Sequence, residues 1–294
     1  MLYDGYTLLI MMIITTGKEY KDFRSGFENE KREMLVLMLE SVESALVMGG
    51  GILKPSAYFI AAVDIGTGEF SGEKGCLEWL IKDKDRMGRS WGYDLNQYSI
   101  YHIIARKNIP TELSENMGLV MNNRYLLIKV IGDSLTDERL EKLKQEYMKP
   151  VYIGDEETGR LTLDRRFSQY EGQKELFGEI CRIYMDTDEK NGTKAEKTFA
   201  YLKHFLSRAK ELDEKYRRYA ADTFIGTVNK WGIRDESYTK EELYGMLRIS
   251  EVTIASDGEI TVYYTENTEE FGDFAIEIKC SANSEDIITK IEMI

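Results

Sequence analysis

A chain of 294 residues, 43% of them hydrophobic, is long enough to bury a sizeable core and sits at the size of two domains. Its net charge of −13 disfavours nucleic acid and anionic membrane as partners. The three cysteines, Cys76, Cys181 and Cys280, are far apart and form no CxxC pair, which excludes a disulfide framework and a thiolate zinc site and leaves buried thiols in a reducing cytoplasm.

The apolar run from Leu8 to Ile14 is too short to span a bilayer, and Asp4 stands where a signal peptide would want basic residues; it reads as a buried strand. Ser25 and Glu28 have capping-box spacing. Behind them Met34, Leu35, Met38, Val42, Ala45 and Leu46 recur at helical spacing, so a helix is expected that stops at Gly49-Gly50-Gly51. A strand from Tyr58 to Ile65 turns at Gly66-Thr67-Gly68 into Glu69-Phe70, and Tyr98 to Ala105 and Tyr125 to Ile131 are further strands. Leu135 to Tyr147 is an amphipathic helix, with Thr136 as its cap. Lys149-Pro150 marks the domain boundary, giving domains 1–150 and 151–294.

Beyond it, Leu161 to Phe167 and Phe177 to Met185 read as strands. Thr193 with Glu196 then launches one long helix, whose Ala195, Phe199, Leu202, Leu206, Ala209, Leu212, Tyr216 and Ala220 form an apolar stripe. Thr239 with Glu242 starts a short helix. Ile249 to Ala255 and Ile260 to Tyr264 flank Asp257-Gly258, a hairpin signal, and Phe274 to Cys280 and Ile287 to Met293 extend the meander. One face of that sheet carries Val252, Ile254, Ile260, Val262, Tyr264, Phe274, Ile276 and Ile278. The other carries Glu251, Thr253, Glu259, Thr261, Tyr263 and Glu277. A sheet with one dry face must cover it, and the long helix is the obvious cover. The expected fold is therefore α+β in two domains, the C-terminal one a mostly antiparallel sheet covered on one face by a long helix.

Three catalytic signatures are incomplete. Gly132-Asp133-Ser134-Leu135 after an apolar strand resembles the nucleophile block of the serine esterases named for that tetrapeptide. The resemblance implies a nucleophilic Ser134, yet Tyr201 stands three before His204 where that family has an aspartate, and no Gly-x-Asn-Asp block follows. Asp64-Ile65-Gly66-Thr67-Gly68 resembles the first phosphate loop of actin-like kinases, but no second loop follows, so a hairpin turn is expected. His102 and His204 cannot form a metal triad, and neither an EF-hand nor a P-loop spacing occurs, so no metal or cofactor is assigned. Trp79 and Trp91, bracketing the charged loop Lys82 to Arg89, read as core anchors rather than base-stacking groups.

Gly159-Arg160-Leu161-Thr162-Leu163-Asp164-Arg165-Arg166-Phe167, then Tyr170-Glu171-Gly172, Trp231, Thr239 to Leu243, Ile249 to Val252 and Asp257-Gly258 occur in an order that resembles the uncharacterised bacterial domain-of-unknown-function family 2262, over about residues 155–294. Leu77-Glu78-Trp79-Leu80 and Tyr101 to Lys107 resemble the N-terminal companion domain found with some members. Many members have Trp-Gly-His after the acidic loop; here Phe271 is followed by Gly272-Asp273-Phe274, so no role for that histidine carries over. The resemblance implies a fold and a bacterial setting, and no activity.

Charge distribution then points to function. Residues 1–150 carry −3, residues 151–234 carry +1, and residues 235–294 carry −11. The expectation is a non-catalytic binding protein that recognises a basic protein partner through an acidic face built on Glu251, Glu259, Tyr263 and Glu277. Immunity proteins against basic nuclease toxins use the same complementarity. The alternative is a hydrolase built on Ser134 or on carboxylates.

Overall fold

The computed structural model describes residues 17–42, 44–86, 91–110, 123–189, 192–231, 235–266, 274–282 and 287–294. The expected strand over Leu8 to Ile14 and the Phe271-Gly272-Asp273 stretch lie outside them. The chain divides into two compact units, residues 1–149 and 150–294. No helix among the described residues is long and apolar enough to cross a membrane.

In the first unit, residues 17–25 form helix α1, and Ser25 ends it, its hydroxyl donating to the Asp22 carbonyl at 2.7 Å. The helix expected over Met34 to Leu46 is instead two strands, β1 (Arg32–Met38) and β2 (Ala45–Gly49). The reason is double burial. Met34, Val36 and Met38 enter one apolar cluster, Leu35 and Leu37 another, and a run buried on both faces carries no alternation to read. Gly50 and Gly51, at φ 55° and 73°, turn β2 into β3 rather than stopping a helix.

Strands β3 (Ile52–Asp64), β5 (Gly75–Glu78), β7 (Ile100–Lys107) and β8 (Arg124–Gly132) join β1 in a closed ring, running β1-β3-β5-β8-β7 and back to β1. All neighbours are antiparallel except β5 and β8. Numbered within the ring, the order is first-second-third-fifth-fourth-first, with the parallel pair joining third to fifth. This is the strand order of the five-stranded Greek-key barrels called OB folds. Phe59, Leu77, Trp79, Ile103 and Leu127 belong to the larger of this unit's two apolar clusters. Helix α2 (Glu138–Tyr147) covers the outside of β1 and β3, burying Leu140 against Leu35, Leu37, Ile60 and Val63. Its cap is Asp137, whose carboxylate accepts the Arg139 amide at 2.9 Å, one residue later than the expected Thr136. The hairpin from β3 into β4 (Phe70–Ser71) forms as expected, tied by the Thr67 amide donating to Asp64 Oδ1 at 2.9 Å, and the short β6 (Ile81–Lys82) pairs antiparallel with the start of β3.

The second unit is one sheet of eight strands: β9 (Tyr152–Asp155), β10 (Gly159–Asp164), β11 (Gln169–Leu176), β12 (Glu179–Asp186), β13 (Leu247–Ile254), β14 (Glu259–Glu266), β15 (Ala275–Ser281) and β16 (Ile287–Met293). They lie in chain order and pair antiparallel except β12 with β13, which are parallel. The long helix is two, α3 (Glu196–Ser207) and α4 (Ala209–Trp231), broken at Arg208. The N-cap of α3 is Ala195, not Thr193, and caps nothing with its side chain. Asp188 does that work from the preceding loop, accepting the amides of Thr198 at 3.0 Å and Lys197 at 3.1 Å. Burial alone would raise the Asp188 carboxyl; those amide donors outweigh it and hold it below its ordinary range. Helix α5 (Lys240–Met246) carries the expected capping box, Thr239 with Glu242. Leu202, Phe205, Leu212, Tyr216 and Val228 of α3 and α4 share one core with Val252, Ile254, Val262, Tyr264, Ile276 and Ile278 of the sheet. The helices thus cover the dry face.

Candidate functional site

The open face of the second sheet gathers the four residues singled out in the sequence. Residues that pair across neighbouring strands share a face, so two rows can be traced from β12 to β16. The first runs Arg182, Glu251, Tyr263, Glu277, Glu292, and the second Tyr184, Thr253, Thr261, Lys279, Lys290. Glu259 lies further along β14 on the same side and is joined to the second row by Lys279, whose Nζ is 3.1 Å from Glu259 Oε1. Glu251, Tyr263, Glu277 and Glu259 are therefore contiguous. Sequence alternation along single strands brought them to one face, and the register brings them together.

Their charge is not free. Arg182 Nη2 lies 3.6 Å from Glu251, Lys279 is 3.9 Å from Glu277, and Lys290 is 2.7 Å from Glu292. The two rows hold three carboxylates and three cations, so the excess acid of residues 235–294 does not sit there as a bare acidic surface. The Tyr263 hydroxyl donates to Glu277 Oε2 at 2.9 Å. Burial, then that bond, then the neighbouring carboxylates push Tyr263 up to about 12, which keeps it a neutral donor in the row. Hydrogen bonding to Glu259 raises Lys279 and keeps it charged. The arrangement can bind through a patterned, prealigned set of opposite charges with a phenol between them.

A second polar group lies on the covered side. Asp213 of α4, its side chain 6% exposed, pairs with Arg217 one turn on, Nη2 to Oδ2 2.7 Å. Arg217 also donates to the Tyr244 carbonyl at 3.4 Å and stacks over that ring, tying α4 to α5. The fully buried Tyr264 hydroxyl approaches the same carboxylate but makes no hydrogen bond of ordinary geometry. Burial raises the Asp213 carboxyl above its ordinary range, and Arg217 opposes the rise. A hollow of about 210 Å³ beside it is lined by Glu179, Asp213, Arg217 and Arg248.

The remaining sequence candidates separate. Ser134 is exposed in the connection between β8 and α2, with no base hydrogen-bonded to it among the described residues. His102 is engaged across β1 and β7, its Nε2 2.6 Å from Glu33 Oε1, and His204 lies on the exposed side of α3. Trp79 is buried, its indole donating to the Trp91 carbonyl at 2.6 Å, while Arg86 stacks over Trp91. Both tryptophans are anchors. Among the described residues no cluster of three His, Cys, Asp or Glu side chains is placed to hold a metal ion. Sequence reading passed over a ring of polar side chains at one end of the barrel, since only the register of four strands reveals that they converge.

Residues 155–291 match the family described as an uncharacterized protein conserved in bacteria, DUF2262. Residues 19–147 match a domain of unknown function, DUF7021. No curated protein and no solved structure matches the chain.

Proposed function

We propose that this chain, a DUF7021 domain followed by a DUF2262 domain, is a binding protein that recognises a basic protein partner through the open face of its second sheet. The observation that carries the reading is the cross-strand cluster of Glu251, Glu259, Tyr263 and Glu277 on the paired strands β13, β14 and β15. Preformed polar patterns of this kind cost little ordering on association and set register and partner choice. The −11 of residues 235–294 supplies a long-range field that steers a basic partner towards this unit, and the paired charges on the face supply the local pattern.

The test is capture of partners from the native cell by cross-linking, comparing the wild type with a Glu251→Lys, Glu259→Lys, Glu277→Lys triple variant. Loss of a captured basic protein, with an unchanged circular-dichroism melt, is expected. A partner held equally well by both proteins sinks the reading.

A hydrolase is the second reading, and the hollow beside Asp213 is what favours it. Its carboxylate already satisfies Arg217, so a catalytic role requires a turnover that Asp213→Asn removes. The Ser134 version requires labelling of that serine by a fluorophosphonate probe.

A further inference from the structure

The barrel of the first unit changes character at one end. The pairings Met34 with Asp64, Arg32 with Ala105 and Lys107 with Tyr125 place Arg32, Asp64, Lys107 and Tyr125 on the inward side shared by Met34 and Ala105. Strands β1, β3, β7 and β8 thus each end their inward apolar series on a polar or charged side chain. Together with Glu69 and Glu73 these residues line a cavity of about 440 Å³. Small-molecule sites fall at about 300–1,000 Å³.

Three donors on this cavity lack an acceptor among the described residues: Arg32 Nε, the Tyr125 hydroxyl and Lys107. Arg32 Nε is buried with no hydrogen-bond partner, while its Nη2 reaches Glu28 at 3.1 Å. Tyr125, only 7% exposed, makes no hydrogen bond through its hydroxyl among the described residues. Lys107 has no carboxylate at ion-pair distance among them. The carboxylates Asp64, Glu69 and Glu73 line the same walls and make no ion pair with described residues either. Across this space Lys107 and the three carboxylates are not paired with one another among the described residues, while Arg32, paired through Nη2 with Glu28, still offers its Nε. Tyr125 senses both sets: burial raises its hydroxyl, Arg32 opposes the rise, and Glu28, Asp64 and Glu73 add to it.

An anion alone would answer Arg32, Lys107 and Tyr125 but face three carboxylates. A cation alone would leave the buried Arg32 Nε unmet, which is the costly state for an interior donor, and would give the Tyr125 hydroxyl no acceptor. One ligand answers both walls. We infer that the open end of the barrel is a binding site for a small zwitterion, by chemical class a free α-amino acid. Its carboxylate meets Arg32, Lys107 and Tyr125, and its ammonium meets Asp64, Glu69 and Glu73. The inference is independent of the sheet-face reading, which concerns the other unit.

Isothermal titration of the full chain with the free L-amino acids, one at a time, tests it. The N-acetyl derivative and the carboxamide of each binder remove one charge at a time, and inorganic phosphate serves as the anion control. Saturable binding by at least one amino acid is expected, weakened by about tenfold or more when either charge is blocked, or in Tyr125→Phe, Lys107→Gln or Asp64→Asn. Tyr125→Phe removes one oxygen that makes no hydrogen bond, so it keeps the fold and decides the matter if another variant does not. Three results overturn the inference: no binding at millimolar concentration, equal binding of the N-acetyl derivative or of phosphate, or unchanged binding by Tyr125→Phe.

Discussion

Asp213→Ala is expected to destabilise the second unit by about 3–5 kcal/mol, the cost of stranding one member of a buried ion pair. The variant leaves the Arg217 guanidinium, 18% exposed, against the Tyr244 ring with its carboxylate gone. Urea unfolding followed by hydrogen exchange within residues 150–294 reads the loss, and a change below about 1 kcal/mol would place the pair among surface bridges. The sign of the pH dependence separates two meanings of the pair. Because burial raises Asp213 in the folded state, its contribution is full below the unfolded value of about 3.9 and fades as pH rises through the folded one. At neutral pH the ionised carboxylate is therefore held at a cost. Replacing both partners together, Asp213→Leu with Arg217→Met, should recover most of the stability that Asp213→Ala loses.

Glu78→Ala should cost the barrel about 3 kcal/mol, at the low end of the range for a broken buried pair, because its cations keep a route to water. Glu78 is 5% exposed and holds two strands at once. Lys54 Nζ of β3 donates to one carboxylate oxygen at 2.8 Å, and Arg124 Nε of β8 donates to the other at 2.8 Å, its Nη2 doing the same. The carboxylate therefore spans the parallel seam on which the ring closes. Glu78→Gln keeps the shape and one acceptor, so it should lose clearly less than the alanine variant in a thermal melt. Equal losses would show that packing, not charge, holds the seam.

Much of the second unit was legible because its sheet has one covered face. Alternation then survives in the sequence, and Asp257-Gly258 fixes the register of β13 against β14. β1 was misread for the opposite reason, being apolar on both sides. β11, with Gln173, Lys174 and Glu175, is too polar to announce itself. Its Gly172 is needed where a Cβ would meet the Leu161 side chain at 2.5 Å. The break between α3 and α4 carries neither Gly nor Pro. On the candidate face, Glu251, Tyr263 and Glu277 followed from period two along their own strands. Arg182, which pairs with Glu251, did not, because it arrives through the parallel join of β12 to β13. The barrel mouth was invisible for a related reason, since its groups come from four strands spread over the whole first unit.

That parallel join has a kinetic consequence. Strands β9 to β12 and β13 to β16 are two meanders built from neighbouring hairpins, whereas β12 meets β13 only after α3, α4 and α5 have intervened. Local hairpins close quickly, and a contact across so long a loop pays its closure entropy first. The sheet is thus expected to assemble as two halves with a late seam. Truncations at Ile183 or Val252, which face each other across it, should speed unfolding while leaving the folding rate nearly unchanged. A slowed folding limb in stopped-flow would instead put the seam in the nucleus. The strands that carry the polar rows would then owe their alignment to the first event of folding instead of the last.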